Sequence, residues 1–176
     1  LFRLPAAVKL LEFGGHDAAT TKRIIDKFEN EAAVLAVLNH PNIVRLLNYG
    51  LHQDRPYLAM EFVPERQTLQ TMMNGLMVEN TSIDPTIFRQ ILNQVLDGLE
   101  AAHQQHIIHR DIKPENIMLQ RVVGNPYHVK LLDFGLAKFV NERRDTSMVM
   151  GTVNYMAPEQ IEARNIGPWT DLYSTG

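Results

Sequence analysis

The sequence predicts an α+β chain organised as two lobes, a β-rich first third followed by a helix-led remainder. Three observations carry that prediction. Strand-like segments at 6–13, 43–50 and 55–63 surround a single helical pattern. A longer helical pattern opens at Pro85. Two short strand patterns and a polar stretch without period follow it.

In the first segment, Val8, Leu10 and Phe13 are the apolar residues of a strand. The loop "GGHDAATT" offers Asp17, Thr20 or Thr21 as a helix cap. From Lys22 to Leu38, Ile24, Ile25, Phe28, Ala32, Leu35 and Leu38 recur at helical spacing. Pro41 disfavours helix at His40, so "NHPN" stops the run. "IVRLLNYG" and "RPYLAMEFV" read as two strands joined by the polar turn "LHQD". "PERQTLQ" at 64–70 is the expected junction, with a small lobe over 1–63 and a large lobe over 64–176. The cluster Met72, Met73 and Met77 reads as helix packing. Beyond Pro85, Ile87, Ile91, Val95 and Leu99 form one i,i+4 ridge, widened by Phe88, Leu92 and Leu96. His103 and His106, at the end of that helix, read as surface or capping residues. "IMLQ" and "YHVKLLDFG" are short strands separated by the turn signals of "RVVGNPY". Residues 138–152 form a long polar loop.

The bulk composition is that of a globular domain: 176 residues, 45% hydrophobic, 21% charged. A net charge of −3 argues against a general nucleic-acid or anionic-membrane binder. There is no cysteine, so disulfides and thiolate zinc sites are excluded, and a cytoplasmic location is the expectation. No apolar run approaches the roughly 20 residues that span a bilayer. The chain opens within a strand pattern and ends at "DLYSTG", so both ends read as cuts through a larger domain.

The chemistry concentrates in "IIHRDIKPENIML", residues 107–119. An Asp in a tight loop, here Asp111, can accept a hydroxyl proton or orient the hydroxyl. Lys113, two residues on, projects to the same side in an extended segment and can neutralise a transferring phosphoryl group. Asn116 offers Mg²⁺ an amide oxygen, the hard donor that ion prefers. A second metal ligand comes from "LLDFGLA", where Asp133 follows an apolar strand and Gly135 permits a sharp turn.

With these motifs in order, the sequence resembles the eukaryotic-type protein kinase family. His109-Arg110-Asp111 with Asn116 matches its catalytic loop and Asp133-Phe134-Gly135 its Mg²⁺-binding motif. Ala157-Pro158-Glu159 matches the end of its activation segment, and Ala7-Val8-Lys9 its strand lysine. The resemblance implies a two-lobed kinase-like fold, truncated at both ends, that uses ATP and Mg²⁺ to phosphorylate protein substrates. Asp111 would be the base, with Lys113 on the γ-phosphate and Asn116 and Asp133 on Mg²⁺. Lys9 would hold the α- and β-phosphates, fixed by Glu31, for which Glu29 is a rival. Around the nucleotide it implies Met60 as gatekeeper and Glu61 and Val63 as backbone contacts to adenine. Ala7 and Met118 would lie above and below the ring, and Glu115 would stand beside Asn116 on the nucleotide side. Leu35, Leu46, His109 and Phe134 match a regulatory spine anchored on Asp171. His109 is read as a packed scaffold residue and not as a proton shuttle.

Lys113 and Gly151-Thr152 resemble the Ser/Thr branch, and the phrasing of "YMAPEQ" resembles bacterial members. Arg110 implies a phosphate-ordered activation loop, for which Thr146, then Ser147, is the candidate regulatory phosphosite. The family's Gly-rich loop would precede Lys9; Gly14-Gly15 falls on the wrong side of it. That leaves a competing reading, a truncated non-catalytic fragment acting only as a nucleotide-binding or interaction module. A small-molecule phosphotransferase of related fold fits less well, because such enzymes usually lack "IKPEN" and the "GT…APE" segment.

Overall fold

The computed structural model describes residues 5–10, 18–53, 55–64, 67–134 and 153–176. Leu11 to Phe13 of the first strand pattern, Asp17, Gly14-Gly15, Gly135, the 138–152 stretch with Thr146 and Ser147, and Gly151-Thr152 lie outside them.

The first lobe is a three-stranded antiparallel sheet and one helix. Strands β1 (Ala6–Leu10), β2 (Leu46–His52) and β3 (Arg55–Glu61) lie in the order β1-β3-β2. Helix α1 (Ala18–Leu35) packs Ile24, Phe28 and Ala32, four residues apart, against Leu58 of β3. Thr20 and Thr21 therefore lie inside the helix, where neither is an N-cap. The helix also ends three residues short of its apolar pattern. A tightened last turn, Leu38 N–H to the Leu35 carbonyl at 3.1 Å, turns the chain away. Leu38 keeps its hydrophobic period but joins the other core.

That second core is larger. Ile91, Val95, Leu99 and Ala102 of α3 (Pro85–Gln104) meet Leu119 of β4 (Ile117–Val122) and Val129 and Leu131 of β5 (Asn125–Leu131). Asp84 starts α3, accepting the N–H groups of Thr86 at 2.7 Å and Ile87 at 3.2 Å, with Pro85 in the first helical position. Of the ridges predicted on α3, the Ile91–Val95–Leu99 line is buried, whereas Phe88 and Leu96 are exposed. Leu38 and Ile43 precede residue 64, yet both belong to this cluster. The Asn42 amide explains the attachment: its Nδ2 donates to the Val129 carbonyl at 3.0 Å and to Gln94 Oε1 at 3.2 Å. The Leu131 N–H donates to the Asn42 carbonyl at 2.8 Å.

Between the lobes, α2 (Leu69–Val78) begins inside the predicted junction, capped reciprocally by Thr68 and Thr71. Only Met72 of its methionine cluster packs on the core; Met73 and Met77 are exposed. The β4–β5 turn is tighter than "RVVGNPY" suggests, because Val122 already pairs with Asn125. Gly124, at φ 80°, supplies the left-handed residue that such a turn requires. Two short helices follow, α4 (Pro158–Ile161) and α5 (Pro168–Thr175). Among the described residues no helix is long and apolar enough to cross a membrane.

Candidate active site

The site is built on a buried carboxylate. Asp171, in the first turn of α5, has no exposed surface. Its Oδ2 accepts the His109 N–H at 2.9 Å and its Oδ1 the Arg110 N–H at 2.7 Å. Oδ2 also lies 2.7 Å from His103 Nε2. A carboxylate only accepts, so that nitrogen carries the proton. These bonds hold Arg110 in a left-handed conformation, φ 67°, that a residue with a Cβ seldom adopts.

His109 is fully buried and its ring is fixed at both nitrogens. Nε2 faces the Leu132 carbonyl at 2.7 Å and Nδ1 accepts the Asp111 N–H at 3.3 Å. Burial drives its pKa below the usual imidazole value, outweighing the nearby Asp171 carboxylate and the Leu132 carbonyl. The ring is therefore neutral with its proton on Nε2, and it packs tilted against Phe134 at 4.4 Å between centroids.

Beyond this scaffold the polar residues gather. Lys113 Nζ lies 2.9 Å from Asp111 Oδ2 and 3.1 Å from Oδ1. Asn116 Nδ2 donates to the Asp111 carbonyl at 2.7 Å and to Oδ2 at 3.0 Å. Its amide nitrogen is thus committed, and only the amide oxygen is left to offer a cation. The Leu132 N–H donates to the Asn116 carbonyl at 2.9 Å, which puts Asp133 beside that residue at the base of the β4–β5 hairpin. Asp133 is itself left-handed, φ 58°. No cluster of three His, Cys, Asp or Glu side chains forms among the described residues. Asn116 and Asp133 together fit Mg²⁺, which takes one or two protein oxygens and fills its other positions with phosphate and water.

The strand lysine reaches the same place. Ala7 and Lys9 share the less exposed face of β1, opposite Met60 and Leu58 of β3. Lys9 Nζ is 2.8 Å from Asp133 Oδ2. Past β3, Val63 is buried, and no backbone hydrogen bond among the described residues engages it. The Glu61 N–H is taken by the Arg45 carbonyl at 2.8 Å. Met118 bridges to Thr68 where β4 meets the start of α2, and Glu115 is exposed on the 3₁₀ turn Pro114–Asn116.

Comparison with known proteins gives the family. Residues 4–176 match the family described as "Protein kinase domain". This chain belongs to the protein kinase family. It is 36% identical over 156 residues to the serine/threonine-protein kinase Pkn1 of Myxococcus xanthus, covering 87% of this chain and 22% of that protein. It is 34% identical to PrkC of Bacillus subtilis over 97% of the chain and 25% of that protein. It is also 34% identical to PknL of Mycobacterium tuberculosis, over 98% of the chain and 41% of that protein. The chain therefore spans well under half the length of these relatives.

Within the kinase fold, two expectations need correction. Lys9 pairs with Asp133 and makes no ion pair with Glu31. The Glu31 carboxyl instead feels Lys27 and Arg110, and partial burial raises its pKa against their pull. It lines a small cavity of about 180 Å³ with Leu35, His106 and Arg110. His103 is the second correction: its side chain is only 14% exposed because the last turn of α3 runs against Asp171. By contrast Leu35, Leu46 and Phe134 line one cavity of about 30 Å³, with His109 packed against Phe134.

Two residues that tie the elements around the site together escaped sequence reading. Lys130 is buried and lies 2.9 Å from Glu61, tying β5 to the end of β3. Gln94 Oε1 accepts from Asn42 Nδ2, Asn125 Nδ2 and the Val129 N–H, at 3.1–3.2 Å. A lysine in the apolar run "HVKLL" was a signal for the first, since buried charges need partners. Nothing local marks the second.

Proposed function

We propose that this chain is the catalytic segment of a serine/threonine protein kinase that transfers the γ-phosphoryl group of ATP to protein hydroxyls. The observation that carries the reading is the contact of Lys113 and Asn116 with Asp111, one backbone bond from Asp133. Asp111 orients the acceptor hydroxyl and takes its proton, which then passes to solvent. That oxygen bonds to the γ-phosphorus, the bond from phosphorus to the β–γ bridging oxygen breaks, and ADP leaves with the electron pair. Lys113 neutralises charge on the transferring group. The Asn116 amide oxygen and the Asp133 carboxylate would hold Mg²⁺, which when bound offsets phosphate charge. Lys9 exchanges Asp133 for the α- and β-phosphates at small cost, since that pair is about one-third exposed. Ala7, Met60, Val63 and Met118 wall the adenine, with backbone groups of Glu61 and Val63 at its polar edge and Glu115 at the mouth of the site. Thr146, then Ser147, receives a regulatory phosphate that pairs with Arg110.

The test is phosphotransfer by the full-length protein with and without Asp111→Asn. A loss of about 10²–10⁴-fold is expected in the variant. Equal activity would refute the assignment of Asp111, and ATP binding without phosphotransfer would favour a nucleotide-binding module. Phosphate on Thr146 or Ser147 should be found by mass spectrometry after incubation with ATP; its absence from active protein would remove that step.

A further inference from the structure

We infer that Gln160 is a positioning residue for Asp111, acting through the peptide that joins Arg110 to Asp111. The inference rests on the phosphotransfer reading and adds to it a residue outside the recognised motifs.

Gln160 lies on α4, directly after Ala157-Pro158-Glu159. Its Nε2 donates to the Arg110 carbonyl at 2.8 Å and its Oε1 accepts the Ala157 N–H at 3.1 Å. The two partners fix the amide orientation: reversing it would set donor against donor and acceptor against acceptor. The opposite edge of the same peptide is also held, because the Asp111 N–H donates to His109 Nδ1. The 110–111 peptide plane is therefore clamped by a side chain on each edge, Gln160 at its carbonyl and His109 at its N–H. Such a clamp has a purpose here. Arg110 is left-handed, and a released peptide plane would relax toward the ordinary helical or extended regions. That rotation would carry the Asp111 carboxylate away from Lys113 and Asn116. Among the described residues, the Gln160–Arg110 bond is the one hydrogen bond between residues 153–166 and residues 107–116. The end of the activation segment thus reaches the catalytic carboxylate through one amide.

A plainer role is open to the same side chain: capping the Ala157 N–H at the start of α4. Two variants separate the roles. Gln160→Glu keeps an acceptor for Ala157 and opposes the Arg110 carbonyl with a carboxylate oxygen. Gln160→Met keeps the length and removes both bonds. In the full-length protein, kcat should fall about 10- to 100-fold in both variants, as for a misplaced catalytic group. The KM for ATP of Gln160→Glu should stay at the parental value, and its thermal midpoint should fall no further than the loss of one hydrogen bond accounts for. The deficit of Gln160→Glu relative to parent should shrink as pH falls and the introduced carboxyl, once protonated, can donate to Arg110. Should Gln160→Met fail to fold, Gln160→Glu carries the test alone. Parental kcat in Gln160→Glu, or a deficit that pH does not change, overturns the inference and leaves the kinase reading standing. A parent protein without Asp111-dependent phosphotransfer refutes both.

Discussion

Replacing Asp171 tests whether one buried carboxylate sets the catalytic loop. Its two oxygens accept from the His109 N–H, the Arg110 N–H and His103 Nε2 at 2.7–2.9 Å, with no water-exposed surface. Hydrogen bonds to a charged group contribute about 1.5–3 kcal/mol each, and they are not additive. Asp171→Ala strands one buried and two partly buried donors around a buried site, so the loss should approach that of a broken buried pair, about 3–5 kcal/mol. At about 2–4 °C per kcal/mol for a domain of this size, the thermal midpoint should fall by about 6–20 °C. Asp171→Asn can keep one oxygen but must turn an amide N–H toward a donor, so a loss of about 2–3 kcal/mol is expected. The assay is urea denaturation followed by the near-UV signal, paired with phosphotransfer at a temperature where the variant remains folded. Activity should fall there too, because Arg110 has lost the bond that holds its left-handed backbone. A stability change under about 1 kcal/mol for Asp171→Ala would refute the reasoning. So would a loss that simply adds to that of His103→Ala, since the two side chains share one bond.

Three other outcomes follow from the same structure. Gly98→Ala should destabilise by about 1–3 kcal/mol in denaturant melts, because its Cβ would meet Leu131 Cδ1 at 2.9 Å and the Asn42 carbonyl at 3.4 Å. His109 is held neutral with a folded pKa below the ordinary imidazole value of 6.5, so the unfolded chain binds the extra proton first. Its contribution to stability should be whole above pH 6.5 and be lost as pH falls below that value, giving a slope that His109→Gln flattens. Asp133→Asn should abolish Mg²⁺-dependent phosphotransfer while costing no more than about 1 kcal/mol of stability, since its pair with Lys9 is partly exposed. Retained Mg²⁺-dependent turnover in that variant would displace Asp133 from the metal site.

Much of this was legible because it is local. The period of α3, its Asp84-Pro85 start and the spacing of Asp111, Lys113 and Asn116 each lie within a few turns of chain. What escaped depends on long separations or on rigid-body placement. Nothing near His103 announces a partner 68 residues away. That Lys9 takes Asp133, 124 residues away, and not Glu31 is likewise a matter of tertiary placement that no residue pattern encodes. The Leu38 period was right, yet it could not say that the residue serves a different core from Phe28. Asn125-Pro126 gave a strong turn signal, but a two-stranded hairpin tolerates Pro on an outer edge, and Gly124 alone makes the turn.

The same distinction bears on how the site holds its shape. Two of its backbone residues, Arg110 and Asp133, are left-handed without being glycine, a conformation costing roughly 1–2 kcal/mol each. Neither is held by its own sequence neighbours alone. Arg110 is fixed by Asp171 from α5 and Gln160 from α4. Asp133 is fixed by Lys9 from β1, and the adjoining Leu132 carbonyl by His109. The strain can persist only while those separate elements are docked, because a carboxylate or amide that moves by an ångström or so no longer meets its donor. The geometry around Asp111 is therefore a consequence of tertiary packing: movement of α4 or α5 should disturb Asp111 before it disturbs the residues proposed to wall the nucleotide.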